Sequence, residues 1–160
     1  KEWNDTSIED GYSASTTGNI YGIYDMSGGA WERAAAYINN STGAGNRNAY
    51  GASVVTGGAK STKYATFYPS NETDSTNTDD KRGEANYNVN DKIYGDAVRE
   101  TSTKGSEKSS WYSDYSYFPE GGSPFFIRGG YWDSVGAGLF YFSRDCGNNN
   151  YNVGFRPVLM

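Results

Sequence analysis

The sequence contains no histidine and a single cysteine, Cys146. The first absence removes Ser-His-Asp and Cys-His nucleophile pairs and any His-ligated zinc or iron, and the second removes an intrachain disulfide. Basic clusters are missing as well: 14 Lys+Arg stand against 19 Asp+Glu, a formal net charge of -5. A chain of that sign lacks the electrostatic footprint that nucleic acids and anionic membrane surfaces require, so no nucleic-acid partner and no direct membrane insertion are expected. No run approaches the roughly 20 apolar residues of a transmembrane helix, and no charged-then-apolar signal segment opens the chain. Because it begins at Lys1 rather than Met, it reads as a mature product or as an excised fragment of a longer protein. The chemistry left open is carboxylate catalysis, an oxygen-ligated cation, or none. The acidic stretch 71–91 lacks EF-hand spacing, and the expectation is no metal and no cofactor.

Aromatic residues are abundant: 16% of 160 residues, with 15 Tyr, 7 Phe and 4 Trp. A disordered polar segment does not carry such a load, and a chain of this length forms one domain, here 1–160, burying roughly 70% of its unfolded surface. The densest apolar run of the N-terminal half is Ile20 to Tyr37, broken by Gly28-Gly29. It predicts a helical turn before the glycines and an extended or mixed segment after them. The stretches 39–58 and 70–91 are mostly Asn, Ser, Thr, Gly and Asp and predict long surface loops, while 91–101 predicts a short helix.

The last forty residues hold short aromatic or β-branched runs at Phe125 to Trp132, Gly138 to Ser143 and Val153 to Leu159, separated by Gly/Asn/Ser turns. These read as short strands. Period-two alternation places Phe140 and Phe142 on one face and Tyr141, Ser143 and Asp145 on the other. The apolar face is expected to be buried and the Tyr/Ser/Asp face displayed.

Two motifs frame the chain. Tyr21-Gly22-Ile23-Tyr24-Asp25-Met26-Ser27-Gly28-Gly29-Ala30-Trp31-Glu32 resembles the formylglycine-generating enzyme family, whose pattern runs Tyr-Gly-Leu-Tyr-Asp-Met-Ser-Gly-Asn-Val-Trp-Glu. Arg128-Gly129-Gly130-Tyr131-Trp132 and Gly154-Phe155-Arg156 resemble the same family's Arg-Gly-Gly-Ser-Trp and Gly-Phe-Arg. The resemblance implies an α+β, C-type-lectin-like fold of short strands, few short helices and long irregular loops. It does not carry the enzyme's activity, which in that family depends on a pair of active-site cysteines. The related sulfoxide synthases need histidines for iron. In the motifs, Asp25 is expected to cap the following turn and Glu32 to pair with Arg128 or Arg156 as a framework ion pair.

A subgroup of that fold, the variable proteins of diversity-generating retroelements, is similar in placing a hypervariable stretch between Arg-Gly-Gly and Gly-Phe-Arg. There, miscopied template adenines turn an Asn codon into Tyr, Ser, Asp, Cys or Gly. The corresponding positions here, within about 131–152, are Tyr131, Asp133, Ser134, Tyr141, Ser143, Asp145, Cys146, Asn148, Asn149, Asn150, Tyr151 and Asn152. Each is Asn or one of its adenine-substitution products. The framework set is Trp31, Arg128, Trp132, Phe140, Phe142, Phe155 and Arg156, with the aromatics expected inside. Tyr with Ser, Gly and Asn is also the vocabulary of antibody paratopes, and Cys146 has no base to activate it. The resemblance therefore implies a surface-displayed, non-enzymatic domain that binds a protein or glycan ligand, on a bacterial cell or a phage. The alternatives are a carboxylate-based or degenerate enzyme of the same family and a structural module of a surface appendage.

Overall fold

A computed structural model describes residues 29–39, 46–47, 49–51, 65–71, 78–90, 97–134 and 137–155. They form a small α+β domain on a mixed sheet of five strands: β1 (Trp31–Asn39), β2 (Thr66–Pro69), β3 (Phe125–Arg128), β4 (Phe142–Asp145) and β5 (Val153–Gly154). Helices α1 (Asp79–Val89) and α2 (Ala97–Glu100) and a short 3-10 turn at Trp111–Ser113 accompany the sheet, and residues 46–47 and 49–51 are also helical, within the stretch 39–58 expected to be a loop. Strand order is β2-β1-β3-β4, and β5 pairs with the start of β1. β1 is parallel to β2 and β5 and antiparallel to β3; β3 and β4 are antiparallel.

β1 is the extended segment expected after Gly28-Gly29, and its alternation divides the domain. Ala34, Ala36 and Ile38 project to one face and join Phe126 and Phe142 from β3 and β4. Tyr68, Tyr87, Val98 and Phe118 complete that core from β2, α1, α2 and the loop before β3. Trp31, Ile127 and Tyr141 form a second cluster, on the opposite face as β1 and β3 alternate, against Tyr115, Tyr131, Ala137 and Val153. Phe118 is the hub of the larger core, with ring centroids 5.4 Å from Tyr68, 5.7 Å from Tyr87 and 5.1 Å from Phe126, all edge-on.

Helix α1 corrects the expectation of a loop over 70–91. Its sequence, DDKRGEANYNV, has no apolar stripe, and only Gly83, Asn86 and Tyr87 are buried. Polar bonds do the docking. The Asn86 side chain accepts from the Asn71 N–H at 2.7 Å and donates to the Pro119 carbonyl at 2.9 Å, and the Tyr87 hydroxyl donates to Ser102 O at 2.6 Å. Asp79 and Asp80 in the first turn favour the helix dipole. Helix α2 lies within the stretch predicted helical. The predicted turn over 20–27 and the Asp25 cap fall outside the described residues.

Glu84 on α1 is the carboxyl held farthest from its ordinary value among the described residues. Burial by itself raises its pKa, but hydrogen bonds from Ser106, Lys104 and Lys81 outweigh that and lower it from 4.5 to about 2. The Lys104 ammonium sits 2.9 Å from Glu84 Oε1 and is itself raised, chiefly by that bond. The stabilisation is present above pH 4.5 and disappears as pH falls toward 2. Glu84→Gln is expected to cost about 1 kcal/mol at neutral pH. It also flattens the loss of stability below pH 4.5. Urea titrations of both proteins across that range test this; parallel pH profiles would refute it.

Candidate functional site

Two segments that carry expected variable positions fasten to the same place, the start of β1. The Trp132 N–H donates to Gly29 O at 3.1 Å, and the Trp31 N–H donates to Asn152 O at 2.8 Å. Each bond uses main-chain atoms. The turn at 131–134 is closed by the Ser134 N–H on Tyr131 O at 2.8 Å, and the turn at 150–153 by the Val153 N–H on Asn150 O at 3.3 Å. Further along, Arg33 donates to the carbonyls of Gly147, at 2.6 Å, and Asn148. The backbone of 147–153 is thus held at both ends through its own carbonyl and amide groups, and the side chains of Asn148, Asn149, Asn150 and Tyr151 take no part in these bonds. These four are exposed, Tyr151 at 93%. Asp133 is exposed too, and Tyr131, Ser134, Ser143, Asp145, Cys146 and Asn152 are half-buried.

Tyr141 departs from the expected display. It is 6% exposed, its ring 4.7 Å from Trp31, and burial pushes its phenol up to about 12 despite an opposing hydrogen bond with Ser143. The face shared by Tyr141, Ser143 and Asp145 exists as the alternation placed it, but Trp31 and Tyr115 cover Tyr141. Asp145 meets Arg33 at 3.4 Å and accepts the Gly147 N–H, so its carboxylate is built into the turn. Cys146 contacts the Asn148 side chain, Sγ to Oδ1 at 3.2 Å.

The framework aromatics split. Phe142 is fully buried and Trp31 nearly so, whereas Trp132 is 75% and Phe155 78% exposed, contrary to the expectation that both lie inside. The cause is local. β3 stops at Arg128, and Gly129 and Gly130 follow in the left-handed region at φ 83° and 72°, so strand parity is lost before Trp132. β5 is only two residues long and ends before Phe155. Phe140 is half-buried on the outside, because Gly138 to Tyr141 is a turn closed by the Tyr141 N–H on Gly138 O at 3.1 Å. Glu32 lies directly across the ladder from Arg128, the cross-strand opposite-charge arrangement expected of them. Arg156 falls outside the described residues.

Sequence reasoning passed over one exposed aromatic cluster. Phe140 lies between Trp111, edge-on at 5.2 Å, and Tyr112, stacked at 5.7 Å. Tyr112 is 88% exposed, and it and Ser113 adopt left-handed φ values of 59° and 64°. Asp114 ties this turn to the next by accepting the Phe140 N–H at 2.9 Å. No periodicity announces it, since the run is a tight turn.

Among the described residues no group of three or more Cys, Asp or Glu side chains is placed to hold a metal ion, and no helix is long and apolar enough to cross a membrane. Comparisons of this chain with protein-family models, with curated proteins and with solved structures found no match.

Proposed function

We propose that the chain is a C-type-lectin-like variable domain of the diversity-generating kind. On this reading it is displayed on a bacterial cell or a phage, and its C-terminal face binds a protein or glycan ligand on another cell or surface, without catalysis. One observation carries the reading: the segment 147–153 is held by bonds to its main chain, while the Asn148 to Tyr151 side chains point into solvent. A binding loop that must tolerate many side chains needs this arrangement, because replacing a side chain then removes no contact the fold depends on. Exposed Tyr151, Asp133 and Trp132, with half-buried Tyr131, supply the mixture of rigid aromatic area and small polar groups that paratopes use. The face is narrower than the twelve positions of the resemblance, since Tyr141 and Asp145 serve the framework.

The genomic test is to sequence the DNA beside the gene. The reading expects a near-repeat of the segment encoding 128–156 next to a reverse transcriptase gene, differing only at template adenines. No such repeat, or differences scattered over all bases, would overturn it. At the protein level, Asn149→Tyr and Tyr151→Ala are expected to change unfolding free energy by no more than about 0.5 kcal/mol. Guanidinium titration measures this, and a loss above about 2 kcal/mol for either would mean that the side chains hold the loop.

A further inference from the structure

On the same sheet face as Trp31, beyond the second cluster, β1 departs from its partner. Arg33 pairs with Ile127 and Tyr37 with Phe125, so four steps along β1 match two along β3, and Ala34 to Ala36 bulge away. Such bulges recur beside functional sites because they re-aim side chains and interrupt pairing. Here the bulge opens a cavity of about 230 Å³ lined by Arg33, the three alanines, Tyr37, Tyr50 and Phe125, with Gly51 and Gly147 at its walls. The walls are tightly fitted. A Cβ on Gly51 would come within 2.5 Å of the Phe125 ring, and one on Gly147 within 2.7 Å, so the ring is gripped between two bare backbones. Ala35, on this face of β1, leaves space that a larger side chain there would fill, while Ala34 and Ala36 turn to the main core and line the cavity with their backbone. Among the lining residues Arg33 alone is charged. Its side chain is 31% exposed; the guanidinium donates to the Gly147 and Asn148 carbonyls and meets Asp145 at 3.4 Å, which engages three of its five N–H groups.

We propose that this cavity is a binding site for a small molecule with an apolar ring or chain and an anionic end, the apolar part lying on Ala35 and Phe125 and the anion facing Arg33. The site adjoins the variable segment through Arg33 and Gly147 but uses none of the exposed side chains of Asn148 to Tyr151. A volume of this order takes a group of one or two rings, below the range of drug-sized pockets.

The probes are naphthalene-2-sulfonate and its uncharged counterpart naphthalene-2-sulfonamide, titrated by isothermal calorimetry into the natively folded chain, with near-ultraviolet circular dichroism confirming the fold. The sulfonate is expected to bind saturably at one site per chain and at least about tenfold more tightly than the uncharged probe. Ala35→Phe, at an exposed strand position, is expected to abolish that binding with the fold intact, and Ala35→Leu repeats the test with a smaller filler. Arg33→Gln is expected to abolish the preference for the sulfonate over the uncharged probe, and Arg33→Lys, which keeps the charge but not the forked bonds to the 147–148 carbonyls, to retain it. Undiminished binding in a folded Ala35 variant would overturn the site. Equal affinity for the two probes, or indifference to Arg33→Gln, would overturn the anionic end.

Discussion

Phe118→Ala is expected to lower the unfolding free energy by about 3–5 kcal/mol, the cost of deleting a buried aromatic and leaving its cavity. The side chain is fully buried, and three rings from three different elements meet it edge-on. Backbone packs around it closely as well: a Cβ at Gly105 would lie 2.5 Å from Tyr87 Cβ and 2.9 Å from Phe118 Cβ, so the loop before β3 cannot slide in to fill the void. A domain of typical stability, about 5–15 kcal/mol, loses a large share of it. Urea unfolding followed by tryptophan fluorescence measures the loss. A cost below about 1.5 kcal/mol would mean that the Tyr68, Tyr87 and Phe126 rings collapse inward and that Phe118 is not the keystone inferred from its contacts.

The second large effect is expected at Gly130→Ala, at about 2–4 kcal/mol, although the substitution only replaces one Cα hydrogen by a methyl group. Two causes add. The backbone there has φ 72°, which an L-residue adopts at a cost of about 1–2 kcal/mol. The new methyl would also lie 2.2 Å from Ala137 Cβ, so the turn carrying Tyr131 and Trp132 has to shift. The partner experiment separates them: Ala137→Gly in the Gly130→Ala background relieves the clash and leaves only the strain. Recovery of roughly half the loss is expected, and no recovery would assign the whole effect to backbone strain. This substitution also distinguishes frame from face, since Tyr151→Ala, a far larger chemical change, is expected to be nearly silent.

These contrasts show where sequence reading succeeds. The short C-terminal strands and the extended run after Gly28-Gly29 follow from alternation and turn residues, which are local signals. Helix α1 does not, because it docks through Asn86 and Tyr87 instead of an apolar stripe, and hydrogen bonds to distant carbonyls leave no period in the sequence. Trp132, Phe140 and Phe155 were misplaced for a related reason. Alternation tells inside from outside only while a strand lasts, and the left-handed Gly129-Gly130 pair, the 138–141 turn and the two-residue β5 each end a strand before the aromatic that seemed to belong to it. Within the candidate site, the exposure of Asn148 to Tyr151 is what the resemblance implies for variable positions. The burial of Tyr141 was not legible, because Trp31 and Tyr115, which cover it, lie far away in the chain.

The grip of Arg33 on the 147–148 backbone spans 114 positions of sequence, and β5 closes onto the start of β1 from farther still. Loops of that length close late, after the entropy of ordering the intervening chain has been met by other contacts. The 147–153 segment is therefore expected to be among the last parts of the molecule to take shape, on a domain whose remainder is already in place. On the binding function proposed above, a chain that misfolds anywhere along its length would present no finished face, and maturation of the fold would act as a checkpoint on binding.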